Sequence, residues 1–212
     1  MQKKILTASL SLIAGVLLAS NAAAADKSIY VGGLLGWGDV HQAGFSNLPS
    51  NTYNDTGFAG RVFAGYKFNQ YVAIESGFTK FSNMNASGSG YDSDDNFDTV
   101  NGTIKSYAID LVAKGILPLQ YNFDIFGTFG IAYINQYANI NVTSATANGP
   151  AFFSGDENQN EIAPTFGLGA EYNFNQNISA QIAWSHIQAV NNDDNSFGNT
   201  DLIGLGLTYN FS

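Results

Sequence analysis

Leu202-Ile203-Gly204-Leu205-Gly206-Leu207-Thr208-Tyr209-Asn210-Phe211 closes the chain with a strict alternation. Ile203, Leu205, Leu207, Tyr209 and Phe211 form one set, and Leu202, Gly204, Gly206, Thr208 and Asn210 the other. Successive side chains of a strand point to opposite faces, so this run presents one greasy face and one small or polar face. The pattern recurs upstream. Pro164, Phe166, Leu168, Ala170, Tyr172 and Phe174 alternate with Ala163, Thr165, Gly167, Gly169, Glu171 and Asn173, and Ile178, Ala180, Ile182 and Trp184 with Ser179, Gln181, Ala183 and Ser185.

Reading every such run predicts eight strands, at about 28–38, 57–68, 71–81, 104–115, 123–135, 161–174, 178–188 and 200–211. Most exceed the ~9–11 residues that a tilted strand needs to cross a bilayer. The connections alternate in length. Asn69-Gln70, Leu119 to Asn122 and Asn175 to Asn177 are short, whereas 39–56, 82–103, 136–160 and 189–199 are long. Short turns on one side and long loops on the other are the arrangement of outer-membrane barrels, with the short turns periplasmic. An even strand number puts both ends of the barrel on the short-turn side. Tyr66-Lys67-Phe68-Asn69-Gln70 returns as Tyr172-Asn173-Phe174-Asn175-Gln176, each time at a short turn. This is either a repeated hairpin unit or the reuse of aromatics at one rim.

Composition agrees. Only 12% of residues are charged and 14% are aromatic, where a soluble domain is about a quarter charged. No later stretch is long and apolar enough for a spanning helix, and alternation keeps the mean hydropathy near zero. Residues 1–25 read as an export signal: Lys3 and Lys4, an apolar core from Ile5 to Leu18, and small residues from Asn21 to Ala25. The expected mature domain is 26–212, with six Lys and Arg against seventeen Asp and Glu, a formal charge of −11. That balance argues against nucleic acid as a partner. Cysteine is absent, so disulfides and thiolate chemistry are excluded.

The polar face carries most strand charges: Arg61, Lys67, Glu75, Asp110, Lys114, Asp124 and Glu171. A soluble barrel would turn this face outward and a membrane barrel inward. The export signal and two aromatic belts favour the membrane. Tyr66, Phe68, Phe123, Tyr172, Phe174, Tyr209 and Phe211 lie near the short turns, and Trp37, Phe78, Tyr107, Tyr133, Phe166 and Trp184 near the long loops. The expected fold is an all-β, eight-stranded antiparallel up-and-down transmembrane β-barrel with short periplasmic turns and long extracellular loops.

The run Gly60-Arg61-Val62-Phe63-Ala64-Gly65-Tyr66-Lys67-Phe68-Asn69-Gln70-Tyr71-Val72-Ala73-Ile74-Glu75-Ser76-Gly77-Phe78 resembles the second hairpin region of outer membrane protein A-like transmembrane domains. Gly169-Ala170-Glu171-Tyr172 and Gly206-Leu207-Thr208-Tyr209-Asn210-Phe211 carry the same likeness. The resemblance implies a barrel in the outer membrane with an inward salt-bridged plug. Glu75, Lys114 and Glu171 fall on the plug positions, Arg61 is an additional inward cation, and Gln181 stands where better-known members place an arginine. It also implies that Phe211 is read by the outer-membrane barrel assembly machinery, although Ser212 follows it. No cell-wall-binding domain follows the barrel in this sequence, so a tethering role is not expected.

An eight-stranded barrel is just wide enough to be filled by its own side chains. Arg61, Glu75, Asp110, Lys114, Asp124 and Glu171 are therefore read as a structural charge network closing the lumen, with a narrow channel as the alternative. Lys80 and Lys105 fall on the outward face at the upper rim, as snorkelling cations or as a clamp for lipopolysaccharide phosphate. Asp92, Asp94, Asn96 and Asp98 place oxygens at every second position, as in the first half of a calcium loop. Phe97 and Thr103 stand where that loop needs glycine and glutamate, so a solvated acidic loop is favoured over a weak divalent-cation site.

A lipid A-modifying enzyme is the remaining alternative. His186 and Asp201 are spaced for neighbouring strands, but Gln188 occupies the position that deacylases of this type give to serine, and Ser185 falls on the face opposite His186. His41 is expected in a loop without ligand partners nearby. No phosphate-binding, dinucleotide or zinc motif is present, so no catalytic residue, metal or cofactor is expected. The function expected is structural: an outer-membrane protein that presents loops, with possible adhesion, to a surface ligand that the sequence does not name.

Overall fold

The computed structural model describes residues 27–42, 52–53, 56–91, 97–146, 149–188 and 197–211. Its strands are β1 Ser28–Gln42, β2 Thr52–Tyr53, β3 Thr56–Asn69, β4 Val72–Phe81, β5 Met84–Tyr91, β6 Phe97–Pro118, β7 Phe123–Thr146, β8 Gly149–Asn173, β9 Ile178–Ile187 and β10 Phe197–Phe211. Eight of them close a ring in the order β6-β4-β3-β1-β10-β9-β8-β7 and back to β6, every pairing antiparallel. β2 and β5 extend the sheet beyond the ring. The first and last strands pair directly, Ile29 opposite Phe211, so no edge remains at bilayer depth.

The alternation is realised as a wall. Ile29, Val31, Leu35 and Trp37 of β1, and Ile203, Leu205, Leu207, Tyr209 and Phe211 of β10, are all exposed on the outside. Their inward neighbours Tyr30, Leu34, Val40, Leu202, Thr208 and Asn210 are buried. From Ile29 to Trp37 the greasy band is roughly 20 Å tall once a ~40° strand tilt is allowed for. Leucine at 61–68% exposure (Leu35, Leu168, Leu205) is tolerable only where the surroundings are hydrocarbon.

Two short turns explain the repeated motif. The Asn69 side-chain oxygen accepts the backbone N–H groups of Tyr71 and Val72 at 2.8 and 2.9 Å. Asn175 does the same for Asn177 and Ile178 at 2.8 and 2.9 Å. Each asparagine closes its own turn, as this residue does where a chain reverses. The preceding Tyr-x-Phe puts two rings on the outer face edge to face, at 5.1 Å for Tyr66–Phe68 and 5.2 Å for Tyr172–Phe174. Tyr209–Phe211 forms a third such pair at 5.0 Å.

The long connections differ from the sequence reading. Much of 82–103 and 136–160 is strand: β5 pairs with the upper half of β6, and β7 and β8 run on together to Thr146 opposite Gly149. This part of the sheet projects past the upper aromatic belt. The greasy alternation stops there because both faces meet water, so the periodic signal that marks membrane strands has no counterpart.

Candidate functional site

Strand parity turns Arg61, Lys67, Glu75, Asp110, Lys114, Asp124 and Glu171 into the lumen, and five of them join. The Arg61 guanidinium donates to Glu75 Oε1 at 2.7 Å and grips both oxygens of Asp110 at 2.7 and 3.2 Å. Lys114 Nζ lies 3.5 Å from Glu171 Oε2 and 3.8 Å from Glu75 Oε2. Tyr30 donates its hydroxyl to Glu75 at 2.9 Å, and Ser179 donates to Glu171. Phe126 lies beneath Lys114 with its ring centre 4.0 Å from Nζ. Lys114, Glu75 and Glu171 are each less than 5% exposed, so the pairing compensates charges that water cannot reach. Glycine makes the room: a Cβ at Gly77 would collide with the Arg61 guanidinium and one at Gly65 with the Tyr30 ring.

Asp124 stands apart from this network. It accepts a hydrogen bond from Asn173 Nδ2 at 2.8 Å near the β6–β7 turn. Lys67 sits 5.6 Å over the Tyr30 ring. Gln181 is buried directly opposite Glu171 in register.

The upper lumen has a different filling. Val40, Ala59, Phe81, Ile104, Ala108, Ile134 and Leu202 are all buried, and Ala183 and Ile187 pack against them. A cavity of about 50 Å³ separates the tiers, with Arg61, Glu75 and Asp110 below and Phe81 and Leu202 above. Sequence reasoning missed this apolar tier and the place of Tyr30. The available signal was that near the strand tops both alternating sets are apolar, as in Ile131-Ala132-Tyr133-Ile134.

On the outer wall, Lys80 and Lys105 are exposed on adjacent strands β4 and β6. Lys80 pairs with Tyr107, which makes Lys105 its diagonal neighbour, and Lys80 Nζ donates to the Ser106 carbonyl at 3.4 Å. His186 and Asp201 are also brought together: His186 Nδ1 is 2.9 Å from Asp201 Oδ1, which accepts the Trp184 indole N–H at 2.9 Å. Among the described residues the other polar neighbour of His186 is Gln188, at 3.4 Å, and Ser185 faces the lumen cavity. An acid orients a base here, and among the described residues no side-chain hydroxyl is bonded to the His186 ring. Asp92, Asp94 and Asn96 lie outside the described residues, as does the side chain of Asp98, which belongs to β6. Among the described residues no three metal-ligating side chains converge.

The family model described as OmpA-like transmembrane domain matches residues 24–212. Outer membrane protein A of Shigella flexneri is 29% identical over 204 residues, covering 94% of this chain and 53% of that protein. The chain thus spans about half the length of the Outer membrane protein A relatives it matches. A Coxiella burnetii (strain RSA 493 / Nine Mile phase I) protein, described only as uncharacterized, is 33% identical over 184 residues, 78% of this chain and 73% of its own length. Among solved structures, Neisserial surface protein A superposes with a TM-score of 0.54 at 14% identity, covering 88% of this chain and 99% of that one. That likeness concerns the fold alone.

Proposed function

We propose, because the chain belongs to the OmpA-like transmembrane domain family, that it serves the outer membrane as a closed structural barrel that presents polypeptide to the outside. Its place is the outer membrane, in a lipid and lipopolysaccharide environment. The single observation that carries the reading is the doubly filled lumen: a charge-paired tier below and a largely apolar tier above. Ions entering from outside would meet a closely packed, largely apolar tier interleaved with Thr79, Ser106, Gln136 and Thr200, and ions entering from below a set of salt bridges. The relatives include proteins described as Outer membrane protein A, and among the described residues no side-chain hydroxyl is bonded to the His186 ring, so no enzymatic role is assigned.

The test is conductance of the purified protein in a planar bilayer. No stable current steps are expected, and stable steps from the native sequence would overturn the sealed-lumen reading.

Three subsidiary roles belong to the same proposal. Residues 1–25 are removed on export, which the mass of the mature protein checks. Phe211, exposed at the end of β10, is the aromatic offered to the assembly machinery. Lys80 and Lys105 hold a lipopolysaccharide phosphate at the outer interface. Replacing both by Gln should reduce co-purifying lipopolysaccharide, and unchanged retention would remove that role.

A further inference from the structure

Resting on the reading of Lys80 and Lys105 as a phosphate clamp, we propose that an oblique furrow in the outer wall seats one acyl chain of the lipopolysaccharide molecule held by that pair. The furrow encloses about 830 Å³. Register traces its course. Lys80 lies beside Gly60, Gly60 beside Leu35, Leu35 beside Leu205, Leu205 beside Ile182, and Ile182 beside Ala170. Lys80 is the last residue but one of β4, at the outer end of the barrel, and Ala170 lies near the lower end of β8. Strand tilt makes this row descend as it passes around the wall. The furrow therefore starts next to a cation at the outer interface and runs down into the hydrocarbon.

Its upper part is open at two outward glycines, Gly33 and Gly60, set between Leu35, Val62, Leu205 and Leu207. Among the described residues neither backbone nor packing requires glycine at these places. Neither has the left-handed conformation that favours it. A Cβ at Gly33 would meet only the Arg61 carbonyl oxygen, at an ordinary 3.8 Å. One at Gly60 would come closest to Leu35 Cδ2 at 3.3 Å, the movable end of a side chain. At Gly36, by contrast, a Cβ would collide with the Ile203 carbonyl, so that glycine serves packing. Glycine weakens a strand, and where packing does not need it, it marks a place where another molecule approaches the backbone. In lipid the gain is van der Waals contact along the bared backbone, since the surroundings are already apolar. Charge names the occupant. Lys80 and Lys105 stand exposed on adjacent strands at the outer end of the furrow, a match for a phosphate whose acyl chain turns down beside them. A second copy of the barrel on this face would set the same cations against each other at one height.

The test uses the whole protein extracted from outer membranes in mild detergent, with bound lipopolysaccharide counted by native mass spectrometry. Each variant is first checked for the heat-dependent gel shift of a closed barrel. Gly33→Leu combined with Gly60→Leu should cut retention about 10-fold, and Lys80→Gln with Lys105→Gln by a similar factor. Gly33→Ala with Gly60→Ala, which adds only the Cβ atoms, should give a smaller loss. Gly127→Val, at an outward glycine of β7 outside the furrow, should leave retention unchanged. In nanodiscs offering lipopolysaccharide and phosphatidylglycerol together, the parent should keep lipopolysaccharide. Full retention in the filled variants with loss in the lysine variant defeats the furrow and leaves the clamp. The reverse result defeats the clamp and leaves the furrow. An equal loss with Gly127→Val, equal retention of phosphatidylglycerol, or a protein dimer in place of bound lipid would each overturn the proposal.

Discussion

β7 and β8 are two continuous strands that run through two solvents. Between Phe123 and Tyr133, and between Ile162 and Tyr172, their outward residues are Phe, Ile, Leu, Pro, Ala, Gly and Tyr, and inward Glu171 and Thr165 are buried. Past the upper belt the same strands read Asn135, Gln136, Asn139, Asn141 and Thr143 on one side of the hairpin and Ser154, Asp156, Asn158, Gln159 and Asn160 on the other. The ladder of backbone bonds continues without a break from Phe123↔Tyr172 to Thr146↔Gly149. What changes is the environment of the side chains. In the bilayer one face must be apolar and the backbone must pair internally. In water neither face is constrained, and side-chain pairs such as Asn135 with Asn158, at 2.8 Å, take over part of the cohesion.

If this contrast is correct, the same kind of change should cost far more in the barrel than in the projection. Lys114→Met removes the cation between Glu75 and Glu171 and leaves carboxylates buried with too little positive charge. A loss of about 3–5 kcal/mol is expected, read as a lower urea midpoint for unfolding from detergent or lipid. A stability change under about 1 kcal/mol would mean that the network does not hold the lower lumen.

The wall gives the next largest effect. Leu168→Arg puts a charge on the lipid face near mid-depth and should cost about 2–4 kcal/mol in vesicles. Ser154→Arg, on the exposed upper part of β8, should fall within about 0.5 kcal/mol of the parent. Equal costs would show that lipid does not bathe Leu168.

The smallest effect concerns pH. The Asn139 side-chain amide, and then the Tyr137 hydroxyl, hold the exposed Asp156 carboxyl below its usual range by hydrogen bonding to its charged form. A depressed carboxylate contributes stability that is full above its unfolded pKa and is lost as pH falls through the folded value. The contact should therefore persist at neutral pH and open only below about pH 4. An NMR titration of the Asn139 side-chain amide would follow it, and a midpoint above the ordinary aspartate value would contradict the bond.

Within the wall, the sequence was legible residue by residue. Lipid outside and a closed lumen inside impose a period of two, so Leu205, Ile182 and Leu168 could be assigned outward and Glu75, Lys114 and Glu171 inward without coordinates. The asparagine turns at Asn69 and Asn175 left a visible repeat for the same reason, since a local hydrogen bond depends on local residues. Partnerships were less legible. Asp124 shares the parity of the network, yet its height along β7 gives it to Asn173.

The chain by itself determined that alternate side chains look outward, that eight such runs can close on themselves, and which charges share the interior. Tertiary structure alone decided which of those charges touch, that a largely apolar cluster packs the upper lumen, and that two supposed loops continue in part as sheet. The reason is one of range. Alternation and turn chemistry are set by neighbours along the chain and by the solvent around it. Register between strands far apart in sequence, such as Arg61 beside Asp110 or Lys114 beside Glu171, is set only when the barrel closes and fixes each residue's height in the tube.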